Sequence, residues 1–182
     1  MNQAAGKPRS LNQSSSVLDA TEFARLIEDH YADLEVIAAA HAGRSAAQDV
    51  LHDASIVAMR VLHEFTPGTS FRAWMAAIIR NVASNEQRKQ RRHRWRLERL
   101  WQSAPSPEPP PSRGPSVPEL DAALARLSDD QRCCILLKVV LARSYAEIAE
   151  CLGIPEPTAR SHVFRARKRM LELLPPSIGG AT

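Results

Sequence analysis

Apolar positions recur at three- and four-residue spacing through most of this chain, and the interruptions divide it into helices. Phe23, Leu26, Ile27, Tyr31, Leu34, Ile37 and Ala38 predict a first helix. It should start near Asp19 or Thr21 and stop at Gly43. Ser45 followed by Gln48 predicts a capping box that opens a second helix. Ala47, Val50, Leu51, Ala54, Val57, Ala58, Val61 and Leu62 would face its core side, with Asp49, His52, Asp53, Arg60 and Glu64 outward. Residues 65–70, Phe-Thr-Pro-Gly-Thr-Ser, read as a turn. A third helix follows, with Phe71, Trp74, Met75, Ile78, Ile79 and Val82 inward. Ala77, Asn81, Ser84 and Arg88 form a separate stripe, with Arg80 beside it. Small residues at 73, 76 and 77 predict room for a ligand backbone to come close. Beyond Glu86 the apolar stripe fades into a basic run ending near Trp101, predicted as an exposed helix against phosphates or a segment that frays without a ligand.

Residues 102–118 hold seven prolines and are predicted to be a semi-rigid, extended linker. After it, a short helix is predicted from Glu119 to Leu127. Ser128 with Gln131 forms a second capping box, opening a helix through Leu141 with Ile135, Leu136, Val139 and Val140 as its core face. Ser144 with Glu147 forms a third, ahead of the apolar Ile148, Ala149 and Leu152. Gly153 sits where that helix should stop, because glycine accepts the left-handed conformation that closes it. A last helix should run from about Glu156 to Leu174, ended by Pro175-Pro176. The short break between these two helices has the length of a helix-turn-helix connection.

The last helix carries the most specific chemistry. Ala159, Val163, Ala166 and Met170 make one apolar stripe. Ser161, Phe164, Arg165 and Lys168 fall roughly opposite, flanked by Arg160 and Arg167. An arginine-rich face with one unburied aromatic suits a DNA major groove: arginine can take two acceptors of guanine, and an aromatic can pack on a thymine methyl.

Charge sharpens this picture. The 182 residues carry a net +4, unevenly spread. Asp19 to Glu64 holds nine acids against three basic residues, while Arg72 to Arg99 holds nine basic residues against two acids. Arg160 to Arg169 adds five more basic residues and no acid. An acidic region followed by two basic ones predicts a nucleic-acid ligand and a separate protein-binding surface. Scarce aromatics and plentiful alanine and aliphatics favour helix, so the expected fold class is all-α: two small helical domains joined by the Pro-rich linker. Cys133, Cys134 and Cys151 lack zinc-site spacing and read as core thiols of a reduced compartment. The N-terminus has no signal-peptide core and no run reaches the ~20 apolar residues of a membrane span, so a cytoplasmic protein is expected. No metal, cofactor or small-molecule substrate is expected. The His52-Asp53 pair invites a metal-hydrolase reading, but no further ligand set accompanies it. An enzyme with a DNA-binding tail would need an acidic cluster or activated nucleophile in the basic domain, and none is visible. A helix-turn-helix repressor or activator is the alternative, but it would need a dimerisation element or effector pocket.

Residue strings now point to a family. Tyr145 to Arg167 resembles region 4 of the sigma-70 family of bacterial sigma factors, in particular the small two-domain extracytoplasmic function (ECF) group. A-Q-D-V-L-H-D-A, Ala47 to Ala54, is similar to the region 2 helix that docks on core RNA polymerase. F-R-A-W-M-A-A-I-I-R-N-V-A-S-N, Phe71 to Asn85, resembles the helix that handles the −10 element. The resemblance covers about residues 20 to 95 and 119 to 174. It departs at Gln48, where the family usually has an acid, and at His52, where it usually has glutamine. It departs again at Pro157 (usually glycine), Ala159 (usually β-branched) and His162 (usually a stronger base).

The resemblance implies a tail at 1–17, a region 2-like domain at 18–101, the linker at 102–118, a region 4-like domain at 119–176 and a tail at 177–182. It implies core RNA polymerase and promoter DNA as partners, and commonly an anti-sigma factor, often membrane-bound. Core polymerase would meet Asp49, Val50, His52 and Asp53. The −10 element would be read by Phe65, Thr66, Gly68, Thr69, Ser70, Phe71, Arg80, Asn81, Ser84, Asn85 and Arg88. The −35 element would be read by Arg160, Ser161, His162, Phe164, Arg165 and Lys168, with Ser144 and Tyr145 at a helix N-terminus that could hold a phosphate. Arg88 to Arg99 would contact phosphates without specifying sequence. Trp74 is placed in the core rather than on a base stack, and Trp95 could stack on DNA or cover the core.

Overall fold

The computed structural model describes residues 18–98 and 117–174, and every regular element among them is helical. Helix α1 spans Ala20–Ala42, α2 Ala47–Arg60 and α3 Phe71–Glu98. Helix α4 spans Val117–Ala125, α5 Asp129–Val140, α6 Tyr145–Leu152 and α7 Glu156–Leu173. The expected tails and nearly all of the expected linker lie outside the described residues.

Local chemistry sets most of these boundaries. Asp19 caps α1 by accepting the Glu22 N–H at 2.8 Å. The boxes at Ser128–Gln131 and Ser144–Glu147 both form reciprocally. The box expected at Ser45–Gln48 does not form. Gly43, at φ 87°, leads into a 3₁₀ turn over Arg44–Ala46, so Ser45 lies inside that turn and α2 opens at Ala47 without a side-chain cap. Helix α4 begins at Val117 rather than Glu119, because Pro118 falls within its first turn, where a missing N–H costs nothing. It also ends at Ala125, before Leu127.

Helices α1, α2 and α3 pack on one another, and α5 holds α7 while α6 packs on α7. The two halves then meet: α1 lies against α5, and α3 against α6. A single core runs from Leu18 and Phe23 through Met75 and Ile79 to Leu137, Ile148 and Val163. This meeting redirects some apolar side chains. Val139 and Val140 are 71% and 60% exposed, and Cys133, Cys134 and Leu137 occupy the core in their place. Residues 133–137 and 139–140 are all apolar, so spacing alone could not say which side of α5 would be covered. Val57 of α2 and Tyr31 of α1 likewise stand partly in solvent. Burial raises the thiol pKa of Cys133, Cys134 and Cys151 to about 12, which keeps all three protonated and unreactive. All three are free cysteines.

Candidate nucleic-acid interface

The α6–turn–α7 unit is assembled by its caps. Gly153 closes α6 at φ 64° and ψ 36°, the left-handed conformation that glycine adopts without Cβ strain. Glycine is required there twice over, since a Cβ on Gly153 would lie 3.3 Å from the Ala73 Cβ. Ala159, Val163 and Ala166 bury the inner face of α7. Ser161, Phe164, Arg165 and Lys168 are exposed on the outer face. Phe164 is 71% exposed, beside the basic side chains of the same face. Arg165 and Lys168 have no ion pair among the described residues.

Four of the expected −35 residues are placed differently from that free pair. Arg160 is held by Glu156 at 2.9 Å and lies 4.8 Å over the Tyr145 ring. Tyr145 is half-buried and also carries Lys138 at 5.0 Å. His162 is half-buried rather than presented, and its Nδ1 is buried without a hydrogen-bond partner. It therefore departs from the set of free cations. The Ser144 hydroxyl is engaged as the α6 cap, accepting the Glu147 N–H.

The 65–70 loop is a tight turn on a bed of aromatic rings. The Thr66 carbonyl accepts both the N–H and the hydroxyl of Thr69, at 3.2 and 2.7 Å, and Gly68 takes φ 86°. Phe65 is half-buried, 5.3 Å from the Trp74 ring and 6.0 Å from Phe71. Phe71 is only 6% exposed, edge-on to Phe23 at 5.8 Å, so it supports the loop from beneath. Trp74 joins this cluster, in line with a core role. A groove beside the loop is lined by Leu18, Asp19, Glu22, Leu26, Phe65, Pro67 and Gly68. The four residues from the start of α1 escaped the sequence reading, because their proximity to the loop arises only from α1 packing on α3. Along α3, Arg80, Asn81, Asn85 and Arg88 are exposed and Ser84 is half-buried. Ser70 and Arg80 already have partners in the other half of the chain: the Ser70 hydroxyl donates to the Glu150 carbonyl at 3.2 Å, and Arg80 lies 3.8 Å from Asp130.

The third surface is the outer face of α2. Asp49, His52 and Asp53 are exposed on consecutive turns, while Val50 is 2% exposed and belongs to the core. Ile56 and Met59 extend the exposed face at helical spacing, 39% and 55% open. The sequence reading missed Ile56 and Met59, whose only signal was apolar residues at positions continuing an acidic stripe. Among the described residues no group of three or more His, Cys, Asp or Glu could hold a metal ion, and no helix is long and apolar enough to cross a membrane.

Comparison with known proteins identifies the family. Residues 26–93 match the family described as Sigma-70 region 2, and residues 118–170 match Sigma-70, region 4. The chain is 33% identical over 131 residues to the ECF RNA polymerase sigma factor SigC of Mycobacterium tuberculosis, covering 69% of this chain and 68% of that protein. It is 29% identical over 128 residues to the ECF RNA polymerase sigma factor EcfG of Rhodopseudomonas palustris, covering 70% and 71%. Among solved structures it resembles the sigma factor RpoE, in complex with the anti-sigma factor NepR, from Bartonella quintana. That match has a TM-score of 0.59 at 26% identity and covers 85% of this chain and 97% of that one. The fold is also that of CnrH in complex with the cytosolic domain of CnrY, at a TM-score of 0.55, 24% identity and 85% and 88% coverage. With both halves matched and a third of the residues shared with a family member over most of its length, the chain belongs to the ECF group of the sigma-70 family.

Proposed function

We propose that the three exposed surfaces divide the work of promoter-directed initiation. The outer face of α2, with Asp49, His52 and Asp53 and the neighbouring Ile56 and Met59, docks on core RNA polymerase. Thr66, Gly68, Thr69 and Ser70, together with Arg80, Asn81, Ser84, Asn85 and Arg88, read the −10 element. Ser161, Phe164 and Arg165 read −35 base edges, with Lys168 on phosphate and Arg160 oriented by Glu156 and Tyr145. The domain boundaries follow the same division, residues 18–101 for core and −10 binding and 119–176 for −35 binding. The observation that carries this reading is the exposed, one-signed outer face of α7, where Phe164 and Arg165 stand free on a capped helix-turn-helix.

The role is that of a specificity subunit, which binds and positions and is not an enzyme, acting in the bacterial cytoplasm where the polymerase acts. An anti-sigma partner suits the same surfaces, since RpoE is found with the anti-sigma factor NepR. Both halves match sigma regions, which sets aside a repressor or activator that works without the polymerase. The test is run-off transcription with purified protein and bacterial core polymerase, where promoter-specific transcripts are expected. Tight DNA binding with no association with core polymerase would overturn the reading. Asp49→Arg should abolish co-purification with core polymerase while shifting stability by less than ~0.5 kcal/mol, as an exposed substitution does.

A further inference from the structure

The groove beside the 65–70 loop has no part in the three surfaces described above. Leu18, Leu26, Phe65 and Pro67 line it, and Leu26 and Phe65 are only half-buried, so apolar side chains face it. Its volume is about 280 Å³, just under the range of about 300–1,000 Å³ for small-molecule pockets. A side chain carried in on a segment of chain suits that size better than a free ligand does. One wall is Pro67 and Gly68, within the loop assigned above to the −10 element, and Asp19 and Glu22 stand on the opposite side of the lining, at the start of α1.

Charge narrows the choice of occupant. Arg25 pairs with Glu22 at 2.8 Å and with Asp29 at 3.0 Å, so these two carboxylates and Asp19 share a single cation. That balance repels a phosphate backbone and favours a segment that carries cations beside an apolar residue. This chain has such a segment, and it joins the fold at the groove. Leu18 is 7% exposed, anchored in the core, and itself lines the groove, so residues 1–17 precede α1 from that edge. They hold Lys7 and Arg9, no acid, and one large apolar residue between Met1 and Val17, which is Leu11. Leu11 lies seven residues before Leu18, a reach of up to about 25 Å when extended. Between them, 12–16 read Asn-Gln-Ser-Ser-Ser, residues that favour a reversal of direction.

We infer that residues 1–17 fold back onto this groove, with Leu11 in it and Lys7 and Arg9 toward Asp19 and Glu22, and lie over the 66–70 loop as an intramolecular competitor of the −10 strand. A short tether holds the segment at an effective concentration on the order of millimolar, so a contact too weak to persist between separate molecules still covers the loop. A −10 strand displaces the segment to reach Thr66, Gly68, Thr69 and Ser70. This rests on the assignment of that loop to the −10 element above.

Two measurements separate occupancy from competition. For occupancy, benzoylphenylalanine replaces Leu11 in the full chain, which is then illuminated. It should cross-link within one chain to the peptide holding residues 65–68, at a yield that does not change on dilution. A cross-link to a second copy, or none to that peptide, would overturn the proposal. For competition, the probe is a short single-stranded oligonucleotide carrying the −10 element of the run-off promoter, bound by the holoenzyme and followed by fluorescence anisotropy. Deleting residues 2–16 should tighten its binding about threefold, the gain expected when the segment covers the loop for about two-thirds of the time. Leu11→Asp should give most of the same gain, and a peptide of residues 1–17 at roughly millimolar concentration should reverse the effect of the deletion. Both variants keep Leu18 and the Asp19 cap, so the start of α1 is unchanged. Equal affinity of the full and shortened chains would overturn competition. Weaker binding by the shortened chain would also overturn it, and would place Lys7 and Arg9 on DNA phosphates instead. No binding of the oligonucleotide by any form, with the cross-link present, would instead overturn the −10 assignment of the loop.

Discussion

Arg143 and Arg165 flank the same helix-turn-helix, yet they lie in opposite circumstances. Arg143 is a third exposed and bonded to a carboxylate that is almost wholly buried. Arg165 projects into solvent with no ion pair among the described residues. Asp33 depends on its two arginines, Arg72 and Arg143, because a buried carboxylate without its cations would cost far more than an exposed one. On the outer face of α7, Arg165 and Lys168 have no ion pair among the described residues, and their charge remains available. Arg143 is therefore committed to the fold, whereas Arg165 is left for the DNA contact proposed above.

Removing the carboxylate should give the largest effect. Asp33→Asn removes the negative charge that the two arginines share and leaves a single amide oxygen to accept from them, and it should lower unfolding free energy by about 3 kcal/mol, the lower end for a broken buried pair since Arg143 is partly solvated and Arg72 keeps Glu150. Urea unfolding measures this, and a loss under ~1 kcal/mol would dissolve the contrast. Arg165→Ala should do the reverse. It should weaken −35 binding by ~1–3 kcal/mol with no change in the urea midpoint. Unchanged discrimination between −35 variants, measured by fluorescence anisotropy, would remove Arg165 from base reading.

Gly153 sits where the two regions touch, and Gly153→Ala should cost about 1–2 kcal/mol from its positive φ, with added crowding against Ala73. A thermal melt reads the loss. The smallest effect is a pH dependence. Burial lowers the His41 pKa from 6.5; the Asp129 carboxylate opposes this, while Arg80 and Arg132 act with the burial and the Cys133 thiol lies alongside. A histidine whose folded pKa is depressed favours folding while neutral. Its contribution is present above pH 6.5 and is lost as pH falls below that value and the unfolded chain takes up the proton. His30, lowered by burial and Arg72, works in the same direction. Stability should fall from pH 7.5 to 5.5, and His41→Gln should flatten that slope. An unchanged slope would assign the dependence elsewhere.

The Ser128 and Ser144 boxes, the Gly153 cap and the exposed outer face of α7 were legible in the sequence because each depends on residues three or four apart. The Ser45 box was misread because the Gly43 turn extends one 3₁₀ turn further than the spacing suggested. The burial of Phe71 and Val50 and the half-burial of His162 escaped the sequence reading for a different reason. Their burial is decided by rings and helices distant in sequence, such as Phe23 against Phe71. Exposure of Val139 and Val140 has the same origin, since α1 determines which side of an all-apolar stretch is covered.

The sequence by itself determined the helices, the basic outer face of α7 and the acidic outer face of α2, because helical periodicity, capping and charge are local properties. Tertiary structure alone decided that Asp33 would hold Arg72 and Arg143 together, with 110 residues separating it from the second of them. A single buried acid among alanines and aliphatics looks like any polar position on a helix. It becomes a joint between two halves only when packing removes its water and leaves arginine as the one available substitute.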